Sequence, residues 1–589
     1  MKKIVSLLLI FVMLFGMLTA LTSCGAPKDN GAEINIYLGS QPFDFDPSDY
    51  YVNSNVEQVL SLIYEPLFTI SKSGSLKCAA AKDYDVDKEE RKITIDLRES
   101  YWSDGIIVKA SDFVYAWCTR IIDSQNPNPA AALFLDIEGV EEVLNGEGNI
   151  YDVGISASEM DQITIIYREG ADYKRLLKNL ASIATAPVRQ DKAEGYETHW
   201  SKSSPVTNGA FKVKSYDKDN GSFELARNVG YHQDPTVKDY DNKVKAGLLW
   251  GTFTVAGEEI TVSYSDLKKK VTFIMSDATL AERAEYKKKA KTAEHTSVYT
   301  YVFNTSHPLF AIEGVRLALS AVIDRNEIIK AITFGKAADG FIPDVSGGAK
   351  KSFISSGANK AKAEEYLAQL TAGEKAILDA NKSFTLTIDS DEESIKIAEI
   401  VEAAWESLGF NVTVEIATVV ENGVENDTVV VADSEIQHLI KDAAYGDIKY
   451  DVIAVDWQTY STDALPGLAS LTSTLSGMGI NHVVGDPAEG VADSYTVRKN
   501  IAAWADSEYD ALVEAALACT KKKDRANKLA EAEEYLMSKM PVCPLVFNET
   551  FAFVGSKISG FKFDGLGHFT LTGVKLSGYN KYLKPEDDE

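Results

Sequence analysis

Apolar positions along this chain recur at two periods, and the alternation between them lays out its elements. Ile34 to Leu38, Lys92 to Leu97 and Gln162 to Tyr167 alternate as strands do. Val56 to Phe68 has helical spacing and is expected to stop near Pro66. Ala110-Ser111-Asp112 ahead of Phe113 to Trp117 reads as a capped helix, with Ser111 or Asp112 taking the first free N–H groups. Phe211 to Ser215 and Ser222 to Ala226 flank Asp219-Asn220-Gly221, a hairpin turn signal.

The second half alternates between types. Strands are expected at Val298 to Asn304, Phe384 to Ile388, Asn411 to Ile416 and Tyr450 to Val455. Helices are expected at Ile312 to Lys330, Ala358 to Leu370 and Glu393 to Leu408, the last closed by Gly409. Asp506 to Met540 reads as mostly helical. This βαβ-like order predicts an α/β lobe with a partly parallel sheet.

The first thirty residues have a different logic. Met1-Lys2-Lys3 is a positive leader, and Ile4 to Leu18 is almost continuously apolar, too short to span comfortably and suited to a signal peptide. Leu21-Thr22-Ser23-Cys24-Gly25 looks like a bacterial lipobox, in which Cys24 receives lipid and begins the mature chain. Acyl chains on Cys24 would anchor a soluble body to the outer face of the cytoplasmic membrane, through a tether over residues 24–33.

Composition removes several function classes. The chain has 589 residues, 60 Lys and Arg against 87 Asp and Glu, and a net charge of −27. A nucleic-acid binder needs the opposite sign. The five cysteines form no CxxC pair, and the four beyond Cys24 sit in apolar surroundings that suit free buried thiols. The seven histidines are scattered, with no pair at metal-ligand spacing, so no metal and no cofactor is expected. No GxxxxGK[ST], GxSxG, HExxH or GxGxxG motif occurs, and no enzyme is expected.

Six segments, in order, carry a resemblance. They are Phe43-Asp44-Phe45-Asp46-Pro47; Ile63-Tyr64-Glu65-Pro66-Leu67; Ile95-Asp96-Leu97-Arg98 with Trp102-Ser103-Asp104-Gly105 and Ala110 to Trp117; Pro205 to Phe211; Leu225 to Asn228 with Tyr231; and Val302 to Thr305 with Val315 to Ser320 and Ile323-Asp324-Arg325. Together they resemble the extracellular solute-binding proteins of peptide ABC importers, the oligopeptide- and dipeptide-binding family (solute-binding family 5). Read as residues alone, these pieces are scaffold: a turn at Ser103 to Gly105, a cap at Asp112, and ion pairs for Arg316, Asp324 and Arg325.

The resemblance implies a periplasmic-binding-protein-like α/β fold, two lobes around a cleft plus an inserted domain. Residues 34–68, 200–297 and 539–589 would form lobe I, 69–199 the inserted domain II, and 298–538 lobe III. It implies a monomer that captures a peptide, closes by hinge bending and docks on permease domains. The alternative keeps the fold with a non-peptide solute, or a signalling peptide read by a sensor. In the family an Asp three residues after a Trp holds the peptide ammonium. Here Trp457 matches, but Tyr460 stands in the Asp position, with Asp456 before and Asp463 beyond it. Asp463 is either a ligand contact or a helix cap, and Trp457 either a cleft wall or core. Gln458, Asn55 and Tyr299 complete the candidate contacts, with Phe134 as a pocket residue of the inserted domain.

Overall fold

In the computed structural model, two strands of 13 residues each cross the middle of one large sheet. The structure describes residues 32–578, apart from 39–44, 49–53, 124–127, 195–199, 202–204, 218–221, 229, 233–243, 250–251, 256–257, 262, 423–430, 445, 478–479, 484–493 and 498–499. Cys24 and the Asp219 to Gly221 turn therefore lie outside the described residues.

The sheet contains β1 (Ala32–Tyr37), β2 (Phe211–Asp217), β3 (Ser222–Arg227), β4 (Val244–Leu249), β5 (Phe273–Met275), β6 (Lys291–Phe303), β7 (Ser383–Ile388), β8 (Asn411–Ile416), β9 (Val452–Gln458) and β10 (Val542–Val554). In space the order is β8-β7-β9-β6-β10-β5-β1-β4-β3-β2, with Lys336–Ala337 paired to β10 as the eleventh strand. β1 runs parallel to β4 and β5, and β7 runs parallel to β8 and β9. The expected partly parallel sheet is present. Strands from residues 32–275 lie on one side of β6 and β10, and strands from residues 383–458 lie on the other.

The composition of β6 explains its central place. From His295 on it is Val-, Tyr-, Thr- and Phe-rich and mostly buried, as suits a strand covered on both faces. Its pairing with β10 is irregular at two points, between Glu294 and Val298 and between Tyr299 and Thr300. The second irregularity falls beside Pro544, which pairs with Thr300. Proline has no N–H for a ladder, so a bulge is where a central strand tolerates it.

A separate antiparallel sheet is built wholly from residues 81–166, in the order Ala81–Asp87, Lys92–Leu97, Gln162–Ile166 and Ile155–Glu159. The helical stretch Ala110–Val114 and Tyr115–Ile122 follows its second strand in the chain. Trp117 is fully buried there, with its indole N–H donated to the Thr185 carbonyl at 2.8 Å.

Several expectations are corrected. The helix predicted over Ile312 to Lys330 is two helices, Glu313–Ala321 and Arg325–Ile332, because Asp324 caps a new start by accepting from Asn326 and Glu327 N–H. The first helix, α1 (Ser54–Ile63), ends before Pro66, and Phe68–Ile70 is a strand. Asp112 is the third helical residue rather than the cap, and accepts from Lys109 N–H and Trp102 Nε1. Arg316 and Arg325 make no scaffold ion pairs among the described residues. Both are buried guanidinium groups bonded to carbonyls, Arg316 to Phe310 and Lys539, Arg325 to Pro544 and Ser320. Burial lowers the pKa of each, to about 10 for Arg316. Cys78, Cys118, Cys519 and Cys543 are free.

Candidate functional site

Residues 456–463 lie where the two sides of the molecule meet. β9 pairs with β6 so that Asp456 faces Tyr299 and Gln458 faces Ser297 across the ladder. Strand alternation puts Asp456 and Gln458 on one face and Trp457 on the other. Asn548 of β10 donates to both Asp456 Oδ1 and Ser297 Oγ, the latter at 2.7 Å. One amide thus ties three neighbouring strands.

Gln458 is the unusual member. It is 1 % exposed, and among the described residues neither its amide oxygen nor its amide nitrogen has a hydrogen-bond partner. A buried amide left without partners costs on the order of 1–3 kcal/mol, so a protein keeps one where something else satisfies it. Thr296 Oγ1, on the adjacent strand, is likewise buried and unpartnered.

Trp457 is packed and held. Its Nε1 donates to Ser470 Oγ at 3.1 Å and its ring stands edge-on to Phe341 at 5.6 Å. Thr459 donates both N–H and hydroxyl to the Thr296 carbonyl, so Ser346 Oγ, 2.5 Å away, donates to Thr459 Oγ1. Tyr460 is buried with φ of 59°, a left-handed conformation costly for a bulky residue, and there the chain leaves the strand. Tyr299 stands edge-on to Tyr301 at 6.0 Å, and burial raises both phenols. Asn55 lies in α1. Phe134 is fully buried against Trp117 at 5.6 Å.

Asp463 is a cap. Its Oδ1 accepts from Leu465 N–H at the start of α2 (Ala464–Ala469). Both of its oxygens also accept from Arg525, at 2.8 and 2.7 Å, from α3 (Lys522–Lys539). Burial would push this carboxyl up, but Arg525 and the nearby Arg175 outweigh it and hold it below its ordinary value. Of the two roles left open for Asp463, the structure commits its carboxylate to the cap and to Arg525.

This region grips residues 128–179 directly. Ser461 Oγ donates to Asn179 Oδ1 at 2.6 Å, and Asn179 Nδ2 donates to the Leu133 carbonyl. Asn128 N–H donates to the Gly477 carbonyl at 2.9 Å, and Arg168 donates to the Leu517 carbonyl. Asp136, 2 % exposed, takes two bonds from Arg175, at 2.7 and 2.6 Å. Gly477 has φ of 73°, and a Cβ there would lie 2.0 Å from the Asn128 carbonyl oxygen. Only glycine allows so close a seam. At the floor nearby, a void of about 10 Å³ is lined by His295, Lys336, Asp344, Phe547 and Asn548 among others. That is room for about one water.

Sequence reasoning missed Thr296, Ser297, Asn548 and Arg525. None stands in a motif, and only the ladder and the seam bring them to residues 456–463.

The fold is that of a two-sided α/β protein whose halves share one sheet through β6 and β10. Residues 75–478 match the model of the bacterial extracellular solute-binding proteins, family 5, and the chain belongs to that family. The dipeptide-binding protein DppE of Bacillus subtilis is 25% identical over 557 residues, 92% of each chain. The periplasmic oligopeptide-binding protein OppA of Escherichia coli is 25% identical over 65% of this chain and 69% of its own. Two solved structures share the fold. The murein tripeptide binding protein MppA of Escherichia coli has a TM-score of 0.70 at 21% identity, over 93% of this chain and 98% of its own. Haemophilus influenzae OppA in complex with RPPGFSPFR has a TM-score of 0.70 at 20% identity, over 93% and 99%. Among the described residues no helix is long and apolar enough to cross a membrane.

Proposed function

We propose that this chain is a lipid-anchored receptor that captures peptides between its lobes, closes over them and delivers them to the permease of an ABC importer. Family membership and the peptide-binding relatives support the solute class. The lobes are taken as residues 34–68 with 200–297 and 539–589, and 298–538, with 69–199 as the inserted domain. The seam from Asn128 to Asn179 against Ser461 to Leu517 is then the closed clasp. β6 and β10, which stand between the two sides of the sheet, would then serve as the hinge.

The observation that carries the reading is Gln458. Its buried amide, without a partner among the described residues, lies three residues before the seam residue Ser461, on the segment where the family resemblance puts ligand contacts. A peptide backbone offers the N–H and C=O groups that such an amide lacks, without demanding a given side chain. Trp457, Tyr460 and Tyr299 would shape the walls, with Asn55 as a further proposed contact. Ammonium recognition cannot rest on Tyr460, which is uncharged, and Asp463 is held by Arg525; this specific departure favours a second reading, the same receptor with a non-peptide solute. Closure follows from differential affinity, since a ligand moves the lobes only as far as it prefers the closed form.

Calorimetric titration with tri- to pentapeptides, with free amino acids and sugars as comparison, tests the proposal. Micromolar or tighter binding of peptides alone is expected. Binding of a sugar or single amino acid with no response to any peptide would overturn it.

A further inference from the structure

Three buried donors from distant parts of the chain converge. Glu57 comes from α1, His295 from β6 and His568 from the C-terminal hairpin around Asp564 to Phe569, and they are 1 %, 2 % and 3 % exposed. One ligand atom from each lies within 4.8 Å of the others.

The distances are those of a coordination polyhedron. Two ligands 2.0–2.1 Å from a tetrahedral centre stand about 3.3 Å apart. His295 Nε2 and His568 Nε2 are 3.3 Å apart. Glu57 Oε1 is 3.4 Å from His568 Nε2, and Glu57 Oε2 is 3.8 Å from His295 Nε2. The two ring nitrogens and the carboxylate therefore face one point.

The outer ring atoms are anchored away from that point. His295 Nδ1 lies 2.8 Å from Ser297 Oγ, which also accepts from Asn548 Nδ2. His568 Nδ1 lies 3.6 Å from Asp564 Oδ2, and Asp564 also accepts from the His568 backbone N–H at 2.9 Å. Metal-binding histidines are oriented in this way, through a hydroxyl, carbonyl or carboxylate on the far nitrogen. The chain is shaped to bring the rings together. Gly567 has φ of 97°, and a Cβ there would lie 2.7 Å from the Glu294 carbonyl oxygen and 2.9 Å from His295 Cα. A larger residue would push His568 away from His295.

We propose that Glu57, His295 and His568 form a binding site for one divalent transition-metal ion of the zinc type, oriented by Asp564 and Ser297. Imidazole and carboxylate suit that class of ion. Three protein ligands leave a fourth position for an exogenous donor. The site joins α1, the start of the crossing strand and the C-terminal hairpin, so the ion would brace the foot of the hinge. This inference is independent of what the cleft binds.

The test uses the mature full chain stripped with a chelator and titrated with Zn²⁺ alone, then with Co²⁺ as a spectroscopic probe. We expect one Zn²⁺ per chain by calorimetry and elemental analysis, and the intense visible absorption of four-coordinate Co²⁺. His568→Gln and Glu57→Gln should each weaken Zn²⁺ binding at least 100-fold, and Asp564→Asn about 10-fold. His307→Gln, outside the cluster, should leave it unchanged. No stoichiometric Zn²⁺ binding, or full binding by folded His568→Gln and Glu57→Gln, would overturn the proposal. Should a variant fail to fold, the wild-type Co²⁺ spectrum decides: a tetrahedral signature supports the site, and an octahedral or absent one overturns it.

Discussion

Arg525 donates to both carboxylate oxygens of Asp463, at 2.8 and 2.7 Å, and so fixes α3 to the first turn of α2. The pair is nearly out of water, with side-chain exposures of 7 % for Arg525 and 17 % for Asp463. Removing one partner of such a pair leaves the other charge buried and costs on the order of 3–5 kcal/mol. We therefore expect Asp463→Asn to lower the unfolding free energy by about 3 kcal/mol in urea titration. An ammonium-binding role would give the opposite signature, lost peptide affinity with unchanged stability.

Gln458 should behave in the reverse sense. Gln458→Leu removes two unsatisfied polar atoms from a buried position. The ligand-free chain should gain about 1 kcal/mol of stability, while peptide affinity falls at least about ten-fold. Thermal unfolding and calorimetry on the same sample check both signs. Lower stability with unchanged affinity would mean that Gln458 is ordinary core.

How much of this was legible in the sequence depends on range. Local patterns located β1, the Lys92–Leu97 strand, β7, β8 and the helix closed by Gly409, because period and end signals are local physics. The break at Asp324 was missed because the apolar stripe continues through Val322 and Ile323, and the cap wins over it. Arg316 and Arg325 read as scaffold ion pairs because sequence shows charges and not the carbonyl cage that folding builds around them. The segment 456–463 was legible through its resemblance. The fate of Asp463 was not, since Arg525 lies 62 residues further on. Histidine spacing in the sequence offers no local metal motif, yet His295 and His568, 273 residues apart, meet through the fold.

Glu533 makes stability depend on pH. It is 2 % exposed and accepts from Phe341 and Ile342 N–H at 2.9 and 3.0 Å, but burial still lifts its carboxyl to about 7. Its folded pKa lies above the unfolded value of 4.5, so the folded state holds the proton longer. The sign is therefore a loss of stability as pH rises from about 4.5 through 7, amounting to about 3 kcal/mol at 1.36 kcal/mol per unit. Glu533→Gln should flatten that slope in denaturation curves taken between those pH values. An unchanged slope would contradict the assignment.

Gly477 tests the clasp. Gly477→Ala would put a methyl group against the Asn128 carbonyl and strain a positive φ. X-ray scattering of the peptide-saturated variant should show a larger radius of gyration than wild type, with weaker affinity. Wild-type compaction would place closure elsewhere.

Cys24 tests the anchor. On the proposed reading Cys24→Ala should move the protein from the membrane fraction to the soluble one, because acyl chains on Cys24 would supply the attachment. Retention in the membrane would contradict the lipobox reading.

Peptide capture is best probed by native mass spectrometry of the mature chain, purified without denaturation. A spread of bound masses that fragment into amino acids is expected. One uniform non-peptide mass would contradict it, and would mean that the Tyr460 departure marks a different solute.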